Sequence, residues 1–116
     1  MIVVTSEQLP GYVIAEALGL AKGSTIRCTH LGTDFMAALH NLVGGEITEY
    51  TSMIAQAREQ ALDRLVESAR QLGANAVVAL RFSTTEVMGG AAEILAYGTA
   101  VRVEKNIEKR NNKTNR

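Results

Sequence analysis

The fold is decided by Thr51-Ser52-Met53-Ile54-Ala55-Gln56-Ala57-Arg58-Glu59-Gln60-Ala61-Leu62-Asp63-Arg64-Leu65-Val66-Glu67-Ser68-Ala69-Arg70-Gln71-Leu72, followed without a break by Gly73-Ala74-Asn75-Ala76-Val77-Val78. At ~100° per residue, Tyr50, Ile54, Ala57, Ala61, Leu65 and Leu72 fall in one stripe, and Ala55, Leu62, Val66 and Ala69 widen it on one side. Gln56, Glu59, Gln60, Asp63, Glu67 and Arg70 take the opposite face. This predicts a long amphipathic helix, ended by Gly73 at the position where a chain turns to positive φ. The apolar arc covers about half the circumference, wider than the ~100° that a surface helix uses. One flank is expected on the sheet of its own chain and the other on a partner subunit.

Working outward, Ala76 to Phe82 is an apolar run broken only by Arg81, which predicts a buried strand. Ser83 to Val87 carries it outward, Met88-Gly89-Gly90 turns it, and Ala91 to Val103 returns antiparallel. On that strand Leu95, Tyr97, Thr99, Val101 and Val103 share the bulkier face; Ile94, Ala96, Gly98, Ala100 and Arg102 share the other. Gly98 in mid-strand marks a bulge or a close backbone approach. Upstream, Ile2 to Thr5 suits an edge strand and Gln8-Leu9-Pro10-Gly11 a turn. Tyr12-Val13-Ile14 and Ser24 to Thr29 are expected to form a hairpin across Lys22-Gly23. Thr33-Asp34 can cap a short helix carrying Phe35, Leu39 and Leu42, closed by Gly44-Gly45. Two helices, one long and one short, packed on a small antiparallel sheet make an α+β fold.

A chain of 116 residues fits one domain, expected over residues 1–104. Its apolar fraction of 47% comes from Ala, Val, Leu and Ile, with five aromatic residues and no tryptophan. Such small side chains bury little area each at about 25 cal/mol per Å². Residues 1–103 hold seven Lys/Arg against ten Asp/Glu, a charge of −3, and residues 104–116 hold five against two, a charge of +3. The acidic body lacks the clustered cations of a nucleic-acid surface, and residues 105–116 read as a disordered basic tail. One cysteine forms no internal disulfide. There is no signal-peptide pattern at the N-terminus and no run near the ~18 apolar residues of a membrane span. A cytoplasmic protein without nucleic-acid or membrane partners is the expectation.

Arg58 falls inside the apolar arc between Ile54 and Leu65. There its guanidinium either snorkels out along its methylenes or meets a carboxylate, Asp34 or Glu93, fixing how the short helix or last strand docks. Cys28 and His30, at i and i+2, share one face of a strand within reach of one transition-metal ion, and His40 and Asp34 could add ligands. One Cys and two His are thin for a closed four-ligand site, so copies of the chain would have to complete it. Side chains at i and i+2 lie side by side rather than converging, and no Gly-x-Ser-x-Gly, His-x-x-x-His or phosphate-cradling loop occurs, so no catalytic residues are expected. Tyr12, Tyr50 and Tyr97 could stack on a planar ligand or pack at an interface.

Thr33-Asp34-Phe35, Val43-Gly44-Gly45-Glu46, Tyr50, Ala57-Arg58-Glu59-Gln60-Ala61-Leu62, Leu72-Gly73-Ala74-Asn75-Ala76-Val77-Val78 and Ala96-Tyr97-Gly98-Thr99-Ala100-Val101, in this order, resemble the YbjQ family, small proteins labelled heavy-metal-binding. The resemblance covers nearly everything but the tail. It implies a dodecin-like α+β subunit that assembles with itself into a ring, a homopentamer, and it brings no established reaction. Dodecin-like relatives hold planar ligands between subunits, which gives an alternative to metal binding. Cys28, His30 and His40 lie outside the motifs that carry the resemblance.

Overall fold

A computed structural model of the chain describes residues 1–28, 48–87 and 91–107; of Cys28, residues 48–52 and Val87 it describes the backbone. In chain order the elements are β1 (Ile2–Val3), β2 (Tyr12–Cys28), α1 (Thr48–Gln71), β3 (Ala76–Val87) and β4 (Ala91–Lys105). Among the described residues the fold is α+β, one helix on a four-stranded sheet of order β1-β3-β4-β2. The sheet is mixed rather than antiparallel throughout, because β1 runs parallel to β3. The short helix expected after Thr33-Asp34 and the turn at Met88-Gly89-Gly90 lie outside the described residues.

The expected hairpin at Lys22-Gly23 is replaced by a single strand. β2 runs unbroken for 17 residues, and Lys22 and Gly23 pair in register with Tyr97 and Ala96 of β4. At ~3.3 Å per residue this strand is about 55 Å long and sets the long axis of a 65 × 30 × 16 Å slab. Gly23 serves close approach instead of a turn. A Cβ built on it would overlap the backbone of Ala61 and Leu65, so the helix rests directly on the strand there.

Small residues let the two layers meet. Ala57, Ala61, Leu65 and Ala69 of α1 are fully buried against Ala21, Ile94, Ala96 and Ala100. Leu65 and Ile94 are among the largest fully buried side chains of the described residues, and burying a leucine contributes about 1.5–3 kcal/mol. Ile94, Ala96, Gly98 and Ala100 form the face of β4 beneath α1, so the smaller-residue face of that strand is the one the helix covers. At Gly98 the close approach is to β3, where a built Cβ would lie 2.7 Å from Val77 Cγ1 and 3.0 Å from the Val78 carbonyl oxygen.

Opposite Gly98, β3 bulges. Its register with β4 shifts between Val78 and Arg81, and Ala79 takes φ 56°, an uncommon conformation for a residue with a Cβ. The N-terminal segment takes up the groups that the bulge turns away from β4. Ala79 N donates to Ser6 O at 2.9 Å and Leu80 N to Val4 O at 3.0 Å. Arg81 Nη1 donates to Thr5 O at 2.8 Å. On the sheet face away from α1, the same segment covers a second core. There Ile2, Val4, Leu9 and Tyr12 pack on Ala76, Val78, Val101 and Val103.

α1 begins at Thr48, three residues ahead of the expected start, and ends at Gln71. Gly73, at φ 84°, donates to Arg70 O at 2.9 Å, and Ala74 N donates to Ala69 O at 3.0 Å. Asn75 then clamps the exit to β4. Its Nδ2 donates to Val103 O at 2.9 Å, and its Oδ1 accepts from Val103 N at 2.8 Å. Arg102 Nη2 donates to Gly73 O at 2.9 Å.

Two stability outcomes are expected, both measured by chemical denaturation at fixed protein concentration. Gly23→Ala inserts a Cβ where helix backbone already lies and costs about 1–3 kcal/mol. Asn75→Ala removes both bonds to Val103 and costs about 1–3 kcal/mol. A change below about 0.5 kcal/mol in either variant contradicts the corresponding contact.

Candidate functional site and interaction surface

Because Gly23 seats the helix on β2, α1 lies off the centre of the sheet. It covers β2 most, β4 less and β3 least. Helical spacing directs Arg58, Leu62 and Val66 toward the β3 side of α1. Leu62 and Val66 are half-buried there, at the margin of the core. Leu80 lies under this flank, and Phe82, facing the same way through its pairing with Ala96, is 45% exposed.

On the other sheet face, the N-terminal segment covers only the end near Val101 and Val103. At the far end the register brings Leu20, Lys22, Ser24 and Ile26 of β2 beside Thr99, Tyr97, Leu95 and Glu93 of β4. Leu20 and Ile26 are 61% and 62% exposed, and Leu95 is half-buried. Tyr97 is 38% exposed, with Lys22 and Arg81 opposite it on its two neighbouring strands.

The sequence-derived candidates are dispersed. Arg58 is exposed on α1 and Glu93 is half-buried on β4. Among the described residues the ion pair is Arg70–Glu67 at 3.9 Å on the outer face of the helix, and none joins Arg58 to Glu93. Asp34, Arg58's other expected partner, lies outside the described residues, as do His30 and His40. Cys28 is the last residue of β2. Tyr12 packs on the second core, and Tyr50 lies in the first turn of α1.

Tested as a metal centre, the described residues do not fit. No group of three or more His, Cys, Asp or Glu side chains comes together among them, where a structural transition-metal site takes about four ligands. A shallow depression of about 440 Å³ on the outer face of α1 is lined by Ala55, Gln56, Glu59, Gln60 and Asp63. Its two carboxylates, Glu59 and Asp63, stand one turn apart beside the amides of Gln56 and Gln60, with no imidazole or thiol in the lining. No helix among the described residues is long and apolar enough to cross a membrane.

Two residues that sequence reasoning passed over stand out through their surroundings. Thr25 is 3% exposed, and its hydroxyl has no hydrogen-bond partner among the described residues. Arg27 Nη2 donates to Gln60 Oε1 at 2.8 Å, while its buried Nε has no partner among the described residues. Alternation along β2 could have placed both on the helix face, but only once β2 is read as one strand.

Comparison with known proteins gives one consistent result. A family model described as "Putative heavy-metal-binding" matches residues 1–104. A UPF0145 protein of Pyrococcus furiosus is 56% identical over 105 residues, covering 90% of this chain and 92% of that one. A UPF0145 protein of Thermus thermophilus is 57% identical over 104 residues, covering 90% and 91%. A crystal structure of a protein of unknown function from Pediococcus pentosaceus, assigned to the DUF74 family, shares the fold with a TM-score of 0.59 at 20% identity, covering 90% of this chain and 98% of that one. With a backbone plan shared at low identity and more than half of its residues shared with these relatives over almost their whole length, the chain belongs to the YbjQ family of UPF0145 proteins.

Proposed function

We propose that the chain is a non-catalytic, cytoplasmic subunit that functions as a homo-oligomer. The assembly is a ring of dodecin-like subunits, a homopentamer, as the family resemblance implies. The observation that supports this reading is the off-centre seat of α1. It leaves Leu62 and Val66 half-buried and Phe82 exposed on one face of the sheet, and Leu20, Ile26 and Tyr97 exposed on the other. Leu20, Ile26 and Tyr97 share one sheet face, with Lys22 and Ser24 between the two β2 side chains, and exposed apolar side chains gathered on one face support an interaction surface. Another copy of the chain covers them, and each large apolar side chain so buried contributes about 1.5–3 kcal/mol.

Heavy-metal binding, suggested by the family description, finds support in one feature of the chain, a cysteine at a strand end with a histidine two residues on. Cys28 of several copies, brought together by a ring, would supply soft thiolate ligands. A third reading, a planar ligand held between subunits, is favoured by Tyr97, whose partly exposed ring stands between two strands carrying cations. Assembly comes first because exposed apolar side chains on both faces of the sheet support it.

Size-exclusion chromatography with light scattering, followed by native mass spectrometry, is expected to give a mass that is a whole multiple of 12.5 kDa, with five copies. A monomer at micromolar concentration contradicts the assembly reading. Titration of the purified oligomer with Zn²⁺, Ni²⁺ and Cu²⁺ is expected to show no uptake tighter than micromolar. Stoichiometric uptake that Cys28→Ser abolishes would establish the metal reading instead.

A further inference from the structure

Among the described residues the sheet ends in two strand edges that are only partly paired, and they lie level with each other. Lys22 N bonds Ser68 Oγ at 3.4 Å and Ser24 O accepts from Arg64 Nη1, so even-numbered residues of β2 turn their backbone groups outward, away from β4. By alternation across the ladder, Phe82, Thr84 and Glu86 turn theirs outward from β3. β1 and the N-terminal segment occupy the outer edge of β3 only as far as Leu80. Ser68 and Arg64 cover the edge of β2 only at Lys22 and Ser24. Beyond these limits the backbone groups of Ile26 and Cys28 on one side, and of Thr84 and Glu86 on the other, meet no partner among the described residues. Unpaired edge groups of this kind take another extended strand.

Register and charge identify that strand. Thr25 pairs with Ile94, as does Thr84, and Arg27 pairs with Ala92, as does Glu86. Thr25 and Thr84 are therefore at one level of the sheet, Arg27 and Glu86 at the next, and all four project from the face that carries α1. A copy placed beside this one by rotation about an axis along the strands keeps these levels aligned. Arg27, whose Nε lacks a partner among the described residues, then faces a carboxylate, and Thr25, whose hydroxyl is likewise unpaired, faces a hydroxyl.

We propose that Thr25–Cys28 of one copy adds to the outer edge of Thr84–Val87 of the next, with Arg27 against the partner's Glu86. Both edges belong to every chain, so the contact is head-to-tail and repeats until the ring closes. This rests on the assembly reading above and assigns its interface.

The test begins with the full chain carrying Cys28→Ser, Arg27→Cys and Glu86→Cys, oxidised and run on a denaturing, non-reducing gel. Within one chain positions 27 and 86 are two strand spacings apart, about 9.6 Å, beyond the ~7 Å that a disulfide spans. A ladder of multiples is expected, and a monomer band alone overturns the proposal. In the wild-type background, Arg27→Glu and Glu86→Arg are each expected to weaken assembly at least tenfold by light-scattering dilution, and the double reversal to restore it. An oligomeric wild type whose assembly ignores both single reversals overturns the interface and leaves the assembly reading standing. A monomeric wild type removes the assembly reading itself, and this interface with it.

Discussion

The contact of helix backbone with strand backbone at Gly23 is the constraint from which the rest of the architecture follows. Where most helices stand off a sheet by the length of their side chains, here Ala61 and Leu65 sit on a residue that has none. The neighbouring core residues are small for the same reason, since larger ones would pry the layers apart. A tight seat over an edge strand also fixes where the helix cannot be. The helix covers β3 least, and at that flank Leu62 and Val66 are half-buried and Phe82 is 45% exposed. Local packing at one glycine thus sets which strands the helix covers most.

The N-terminal segment performs the complementary task at the other end of the sheet. It is tied in by backbone bonds to the bulge at Ala79 and Leu80 and by the Arg81 guanidinium. It covers the second face where α1 gives no protection, and it stops where β3 leaves the bulge. Among the described residues, the chain consequently has a closed end, with layers on both faces, and an open end whose two edges meet no further strand. On the helix face of the open end, the described polar groups include Thr25, Arg27, Thr84 and Glu86.

Much of this was legible in the sequence. The long helix, its stop at Gly73 and the β3–β4 pair follow from periodicity, which reports burial directly. The excess width of the helix's apolar arc corresponds to Leu62 and Val66, half-buried at the margin of the core. β2 was misread because Lys-Gly is common in turns and a glycine in a strand carries no mark of its purpose. Only the helix above Gly23 shows that the missing side chain makes room. Parallel pairing of β1 and the positive φ of Ala79 were hidden for a related reason, since both depend on contacts between the N-terminus and residues more than seventy positions away. Cys28 and the two histidines were singled out by type, and type alone does not bring ligands to one point. Arg27 and Glu86 have the opposite history, unremarkable as residues and connected only through their shared level beside Ala92.

The central claim is that the open end of the sheet is covered by another copy. Amide hydrogen exchange across β3 tests it directly, because the strand carries its own control. Arg81, Ser83 and Thr85 direct their amides to β4, while Phe82, Thr84 and Glu86 direct theirs outward. Slow exchange of both sets, with the outward set becoming fast on dilution, is the result this account predicts. Protection of the inward set alone, with Thr84 and Glu86 exchanging as a solvent-exposed edge at every concentration, would contradict it.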